Sequence, residues 1–370
     1  MPSAGEGTST EGGKEPESGP ASKAKGSHHK ADEEEDDDDD NSLDETLSNF
    51  SSVSEDSLPP IHAFGFTYHG SGRILWPNDE AGGRVMDLQH HLWKSCLGGN
   101  LTDTRLPIEK PNFAEPSFHI LDVGTGTGIW AIEMALRYPQ ATILGMDISS
   151  SLLPKDVPSN LTFEVADITE EPWPPRLYDF IHMRNICQGG ISDWQALITN
   201  AYNHLRPGGH LEFTLYKPRF FGVDPAQTDL PSGELAEIGP ACRLYETLLT
   251  TMTEALGLDY DPMSRIVGWL GDLGGENIRE RTYWVPLHSP RDVVMRERSE
   301  LMRQVFLHGM DQFNLMLFDR NGWSESDTRD LIDQVNKEVQ DPKLRSSVRL
   351  AFITAKKPPV PRSAAGSSDD

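Results

Sequence analysis

The chain has 370 residues, enough for one large α/β domain with insertions and tails. Residues 1–60 carry −13 of the formal charge of −25, from 17 Asp and Glu against 4 Lys, which leaves −12 for residues 61–370. No basic run is present to displace counterions from phosphates, which argues against direct nucleic-acid binding, and Cys96, Cys187 and Cys242 lack the spacing of a disulfide framework or a zinc site.

Taken in chain order, residues 1–60 are rich in Gly, Ser, Glu and Lys and contain an unbroken acidic block from Asp32 to Asp40. Such a stretch buries too little apolar surface to offset its ordering entropy, so it reads as a disordered acidic tail, with docking to a basic partner as the alternative. It has no apolar leader-like core, and nowhere does an apolar run approach the roughly 20 residues that span a bilayer. A soluble, intracellular protein without a transmembrane segment is expected.

Folding signals begin near Thr67, and the apolar spacing of Val85, Met86, Leu88, Leu92, Trp93 and Leu97 predicts a helix over 80–97. Pro111 and Pro116 predict a loop before the first strand of a βαβα alternation. Strands are expected over 119–123, 142–146, 161–165, 179–183 and 210–216, with helices over 128–138 and 192–205, the latter stopped by Arg206-Pro207-Gly208-Gly209. Helices over 234–256, 263–273, 291–318 and 324–339 then surround two late strands, 281–286 and 347–355. The fold class is therefore α/β, a Rossmann-like seven-stranded sheet, mostly parallel with a final antiparallel strand, helices on both faces, and a helical insertion before the last strand. The domain is placed at 61–358, with a second disordered tail over 359–370.

The strongest motif runs from Ile120 to Gly128, a hydrophobic strand entering a turn with Gly124, Gly126 and Gly128. Glycines there permit positive φ and close approach of a ligand to the backbone. A dinucleotide fingerprint has its third glycine one residue later, so this spacing favours S-adenosylmethionine over NAD. Asp147 follows the second strand, 19 residues beyond Gly128, where a carboxylate accepts from ribose hydroxyls. Asp167 and Ile168 follow the third strand, placed to meet an adenine. Asp122 and Arg184, at the ends of the first and fourth strands, complete the candidate cofactor set. No metal is required for transfer from a sulfonium.

The segments Asp79-Glu80, Arg84 to His90, Leu121 to Trp130, Phe180 to Asn185, Trp194 and Leu205 to Gly209 resemble the fungal LaeA-like methyltransferases, over roughly residues 66–358. The resemblance implies a class I methyltransferase domain using S-adenosyl-L-methionine, with Gly124, Gly126, Gly128, Asp147 and Asp167 as cofactor contacts and Gln89 and His90 on a lid. It also implies one of two roles. One is regulation of secondary metabolism and development in nucleus and cytoplasm, with velvet-type or zinc-finger partners. The other is methylation of a small-molecule acceptor. A catalytically silent interaction module is the third alternative, which the intact glycines and acids oppose.

A hydroxyl or ammonium acceptor also needs a base, for which His182, His90, Glu212 and Tyr216 are the candidates. For Glu212 and Tyr216 strand-end packing is the competing role. Trp76, Trp93, Trp130 and Trp194 are candidates for an acceptor pocket, with core packing as the alternative.

Overall fold

The computed structural model describes residues 58–108, 118–170, 173–222, 238–287, 290, 292–341, 344 and 346–359. Apart from residues 58–60 and 359, the two tails lie outside the described residues, as does the loop holding Pro111 and Pro116.

Two three-residue strands, β1 (Ile61–Ala63) and β2 (Phe66–Tyr68), form a hairpin that the sequence reading did not anticipate. Phe64 and Gly65 connect them with φ of 58° and 83°, both left-handed, as the tight hairpin turn demands. Strands this short leave no alternation to detect. The hairpin is tied to the next helix, α1 (Glu80–Cys96), by Asp79. Its carboxylate caps the helix by accepting from the Gly82 N–H at 3.0 Å and also accepts from the Thr67 N–H at 2.8 Å.

The main sheet contains β3 (Phe118–Val123), β4 (Ala141–Asp147), β5 (Leu161–Val165), β6 (Tyr178–Arg184), β7 (Leu205–Gly222), β8 (Glu276–Pro286) and β9 (Ser346–Lys356). Their order is β5-β4-β3-β6-β7-β9-β8, parallel throughout from β5 to β7, with β9 antiparallel to both of its neighbours. Seven strands with one reversed member match the expected class. Strand β7 is longer than expected because it re-enters the sheet at Leu205, directly after α3 (Trp194–Asn203), and passes through the Arg206–Gly209 turn, where its register against β6 shifts.

Alternation in the central strands divides the core. Ile120, Ile143 and Phe180 face α2 (Ile129–Arg137), whereas Leu121, Val123, Ile181, Met183 and Phe213 face the side of α3 and α5 (Met263–Asp272). Burial of each such side chain contributes about 1.5–3 kcal/mol, so a register slip would be heavily disfavoured. A third cluster joins α1 with α4 (Pro240–Ala255), α6 (Val293–Arg320) and α7 (Glu325–Gln340). Among the described residues no helix is long and apolar enough to cross a membrane. The insertion helices α4 and α6 and the hairpin segment converge above the carboxyl ends of β3 to β7, where open α/β sheets carry their ligands.

Candidate active site

After β3 the chain turns sharply through Gly124, Gly126 and Gly128, with φ of 69°, 61° and 73°. Space as well as conformation requires the glycines: a Cβ at Gly126 would stand 2.9 Å from Met86 Sδ, and one at Gly128 2.5 Å from Phe163 Cζ. The turn is held against β4, since the N–H groups of Gly124 and Thr125 both donate to the Met146 carbonyl at 2.9 Å. Thr127 anchors it to α1 by donating to Asp87 at 2.8 Å.

Asp147 ends β4 beside this turn and accepts from the Gly126 N–H at 2.7 Å and the Ser149 N–H at 3.2 Å. Burial pushes its carboxyl up to about 6, against the pull of those backbone donors. Asp167 and Ile168 lie beyond β5. Asp167 binds Thr169 and pairs with Arg73, whose guanidinium also donates to the carbonyls of Gly189 and Gly190. The segment between the hairpin and α1 is thereby strapped across the sheet end. Sequence reasoning missed this strap, which also brings His69, Trp76 and Asn78 to the cavity wall.

These groups line one cavity of about 180 Å³, and all eight residues of the candidate cofactor set except Gly128 are on its wall. Gly128 instead starts α2. Asp122 is buried beneath the turn, accepting from Thr125 Oγ1 at 2.6 Å and from His182 Nδ1 at 2.8 Å. Burial lowers the His182 ring below its ordinary range, and the ring is stacked on Trp130 at 3.8 Å, so it serves as a neutral donor that orients Asp122.

His182 and His90, the candidate bases, are placed away from the glycine turn's cavity. Neither lines the main cavity; both face a much smaller void behind it, with Trp93 and Trp130. Their positions on a strand and a helix left the facing direction open, and the rings turn inward. His90 is fully buried, and burial together with Arg184 depresses it to about 3. Its Nδ1 accepts from Arg184 at 3.2 Å, while Glu133 lies 3.3 Å from Nε2. Gln89, one residue earlier, does reach the cavity. Burial draws the Arg184 guanidinium down to about 10, and its hydrogen bond goes to a neutral ring instead of a carboxylate.

Glu212 is a packing residue. Buried on the interior strand β7, it accepts from the Thr104 N–H and hydroxyl, both at 2.8 Å, and burial raises it to about 7. Tyr216 does reach the cavity. Of the four tryptophans only Trp76 joins it there, and Trp194 donates to the Asp259 carbonyl from the core.

Away from the glycine turn the cavity wall changes character. Cys187 comes from the short 3-10 turn after β6, Tyr216 from within β7, Tyr245 and Leu249 from α4, Tyr260 from the loop before α5, and Phe313 from α6. Burial raises all three phenols and the Cys187 thiol, so each keeps its proton near neutral pH. Sequence reading could not place Tyr245, Tyr260 and Phe313, because helical insertions reach a site only through tertiary packing.

Comparison with known proteins agrees with this arrangement. A methyltransferase-domain family model matches residues 97–260. The methyltransferase pytC of Aspergillus terreus is 32% identical over 319 residues, covering 85% of this chain and 93% of that protein. The secondary metabolism regulator LAE1 of Cochliobolus heterostrophus is 39% identical over 148 residues, 39% of this chain and 46% of LAE1. The corresponding regulator laeA of Aspergillus fumigatus is 32% identical over 171 residues, covering 45% of this chain and 43% of laeA. With a glycine turn, a strand-end acid and a reversed seventh strand in one molecule, and with pytC matched over nearly its whole length, the chain belongs to the S-adenosylmethionine-dependent methyltransferases.

Proposed function

We propose that the cavity holds S-adenosylmethionine at its glycine-turn end and a small methyl acceptor at its phenol-lined end. The observation that carries this reading is the continuity of one cavity from Asp147 to Tyr260. The residues fit the cofactor. Asp147 has a buried carboxylate suited to ribose hydroxyls, Asp167 and Ile168 stand where an adenine would lie, and Arg184 offers a cation for an amino-acid carboxylate. Gly124 and Gly126 are both on the cavity wall, and their lack of Cβ atoms makes room there for Ile186 and Met86.

The bound sulfonium supplies an activated methyl group, so the chain's task is alignment and exclusion of water. The Arg73 strap and the helical insertion cover the sheet end, and Asp122, fixed by His182 and Thr125, supports the floor. Calorimetry with S-adenosylhomocysteine and with NAD tests the reading. Binding of the former and not the latter is expected, and failure to bind either cofactor form would overturn it.

A second reading, regulation of secondary metabolism within a protein complex, rests on the similarity to LAE1 and laeA. It includes residence in nucleus and cytoplasm and velvet-type or zinc-finger partners. Affinity capture at native abundance, with mass spectrometry of partners and methylated products, tests it. Methylated small molecules without a stable partner would favour the first reading.

A further inference from the structure

Three phenols, one thiol and three apolar side chains (Trp76, Leu249 and Phe313) surround the acceptor end of the cavity. Among the described residues the charged members of the lining, Arg73, Asp122, Asp147, Asp167 and Arg184, are on the strand ends or the strap. No carboxylate of the described residues lines the acceptor end, so none on its wall takes a proton from a neutral alcohol or receives an ammonium. Among the described residues the buried Tyr260 hydroxyl has no hydrogen-bond partner, although Tyr260, 8% exposed, lines the cavity. A buried orphan donor costs free energy unless something arrives to accept from it.

We propose that the acceptor is an apolar molecule carrying an acidic hydroxyl, a phenol or an enol, whose oxygen accepts a hydrogen bond from Tyr260. This inference rests on the cofactor reading above. The donor phenols and the positive sulfonium favour the ionised oxygen, so the acceptor loses its proton to water on entry and no protein base is needed. Its oxygen then attacks the methyl carbon. A carbon–oxygen bond forms, the carbon–sulfur bond breaks, the sulfur takes the electron pair, and a methyl ether and S-adenosylhomocysteine result. Burial keeps Tyr260 protonated, as a donor must be.

The test uses the full chain with 2-naphthol as probe and naphthalene as its hydroxyl-free control. Binding of both is measured in the presence of S-adenosylhomocysteine, and the methyl ether of 2-naphthol is sought by mass spectrometry with S-adenosylmethionine. Tyr260→Phe is expected to weaken 2-naphthol about tenfold, the equivalent of one good hydrogen bond, and to leave naphthalene and the cofactor product unchanged. Since the lost hydroxyl has no partner among the described residues, the variant should fold with undiminished stability. Equal losses for both probes would assign Tyr260 to packing and overturn the proposal. Retained cofactor-product binding without any 2-naphthol binding would overturn it while leaving the cofactor reading intact; loss of cofactor-product binding in the native protein would overturn both.

Discussion

Asp147 carries the clearest pH signature. Its folded carboxyl stands near 6, above the ordinary 3.8, so its contribution to stability is present at low pH and is lost as pH rises through about 6. Ribose hydroxyls donate to the ionised form, so affinity for S-adenosylhomocysteine should climb between about pH 5 and pH 7 and then level off. Calorimetry on Asp147→Asn should give a flat profile across that window. Gly126→Val forces a branched residue to positive φ and toward Met86. It should destabilise the protein by about 1–2 kcal/mol and reduce cofactor-product affinity at least about tenfold. Denaturation and calorimetry on the same preparation separate these effects. These groups were legible because turn and acid lie within one local pattern. The places of Tyr260 and His182 were not, because neither loop position nor strand alternation reveals which cavity a side chain will meet.

At the scale of elements, the helices and the sheet strands fell within a few residues of expectation wherever apolar periodicity was strong. The central strand β3, with Ile120, Leu121 and Val123, and α7, capped by Ser324, are examples. The hairpin and the strap escaped because their structure comes from tertiary ties, such as Asp79 to Thr67 and Arg73 to the Gly189 and Gly190 carbonyls. The strap now yields an expectation of its own. Arg73→Ala removes its ion pair with Asp167 and its bonds to two carbonyls, so the covering segment opens more often. Stopped-flow measurements should find dissociation of S-adenosylhomocysteine at least severalfold faster, with little change in melting temperature. An unchanged off-rate would show that the cofactor leaves by another route.

For the whole molecule, charge sets the permitted company. Residues 61–370 carry −12 and the first 60 carry −13, so the duplex and the protein repel each other most at low salt, where a true binder is attracted most. No mobility shift with duplex DNA is expected at low ionic strength, and micromolar binding there would contradict the charge argument. Any effect on gene expression would then pass through a protein partner or a methylated product.

The position of β9 between β7 and β8 has a kinetic consequence. Strands β3 to β7 can assemble from successive βα units, whereas β8 has only β9 as a neighbour and must wait for it across α6 and α7. Contacts that close long loops form late, because their entropy cost precedes their reward. The half of the molecule that carries Asp147 and the glycine turn can therefore mature before the half that carries Tyr245 and Phe313. During folding the chain would pass through a state ready for its donor and still lacking a wall for its acceptor.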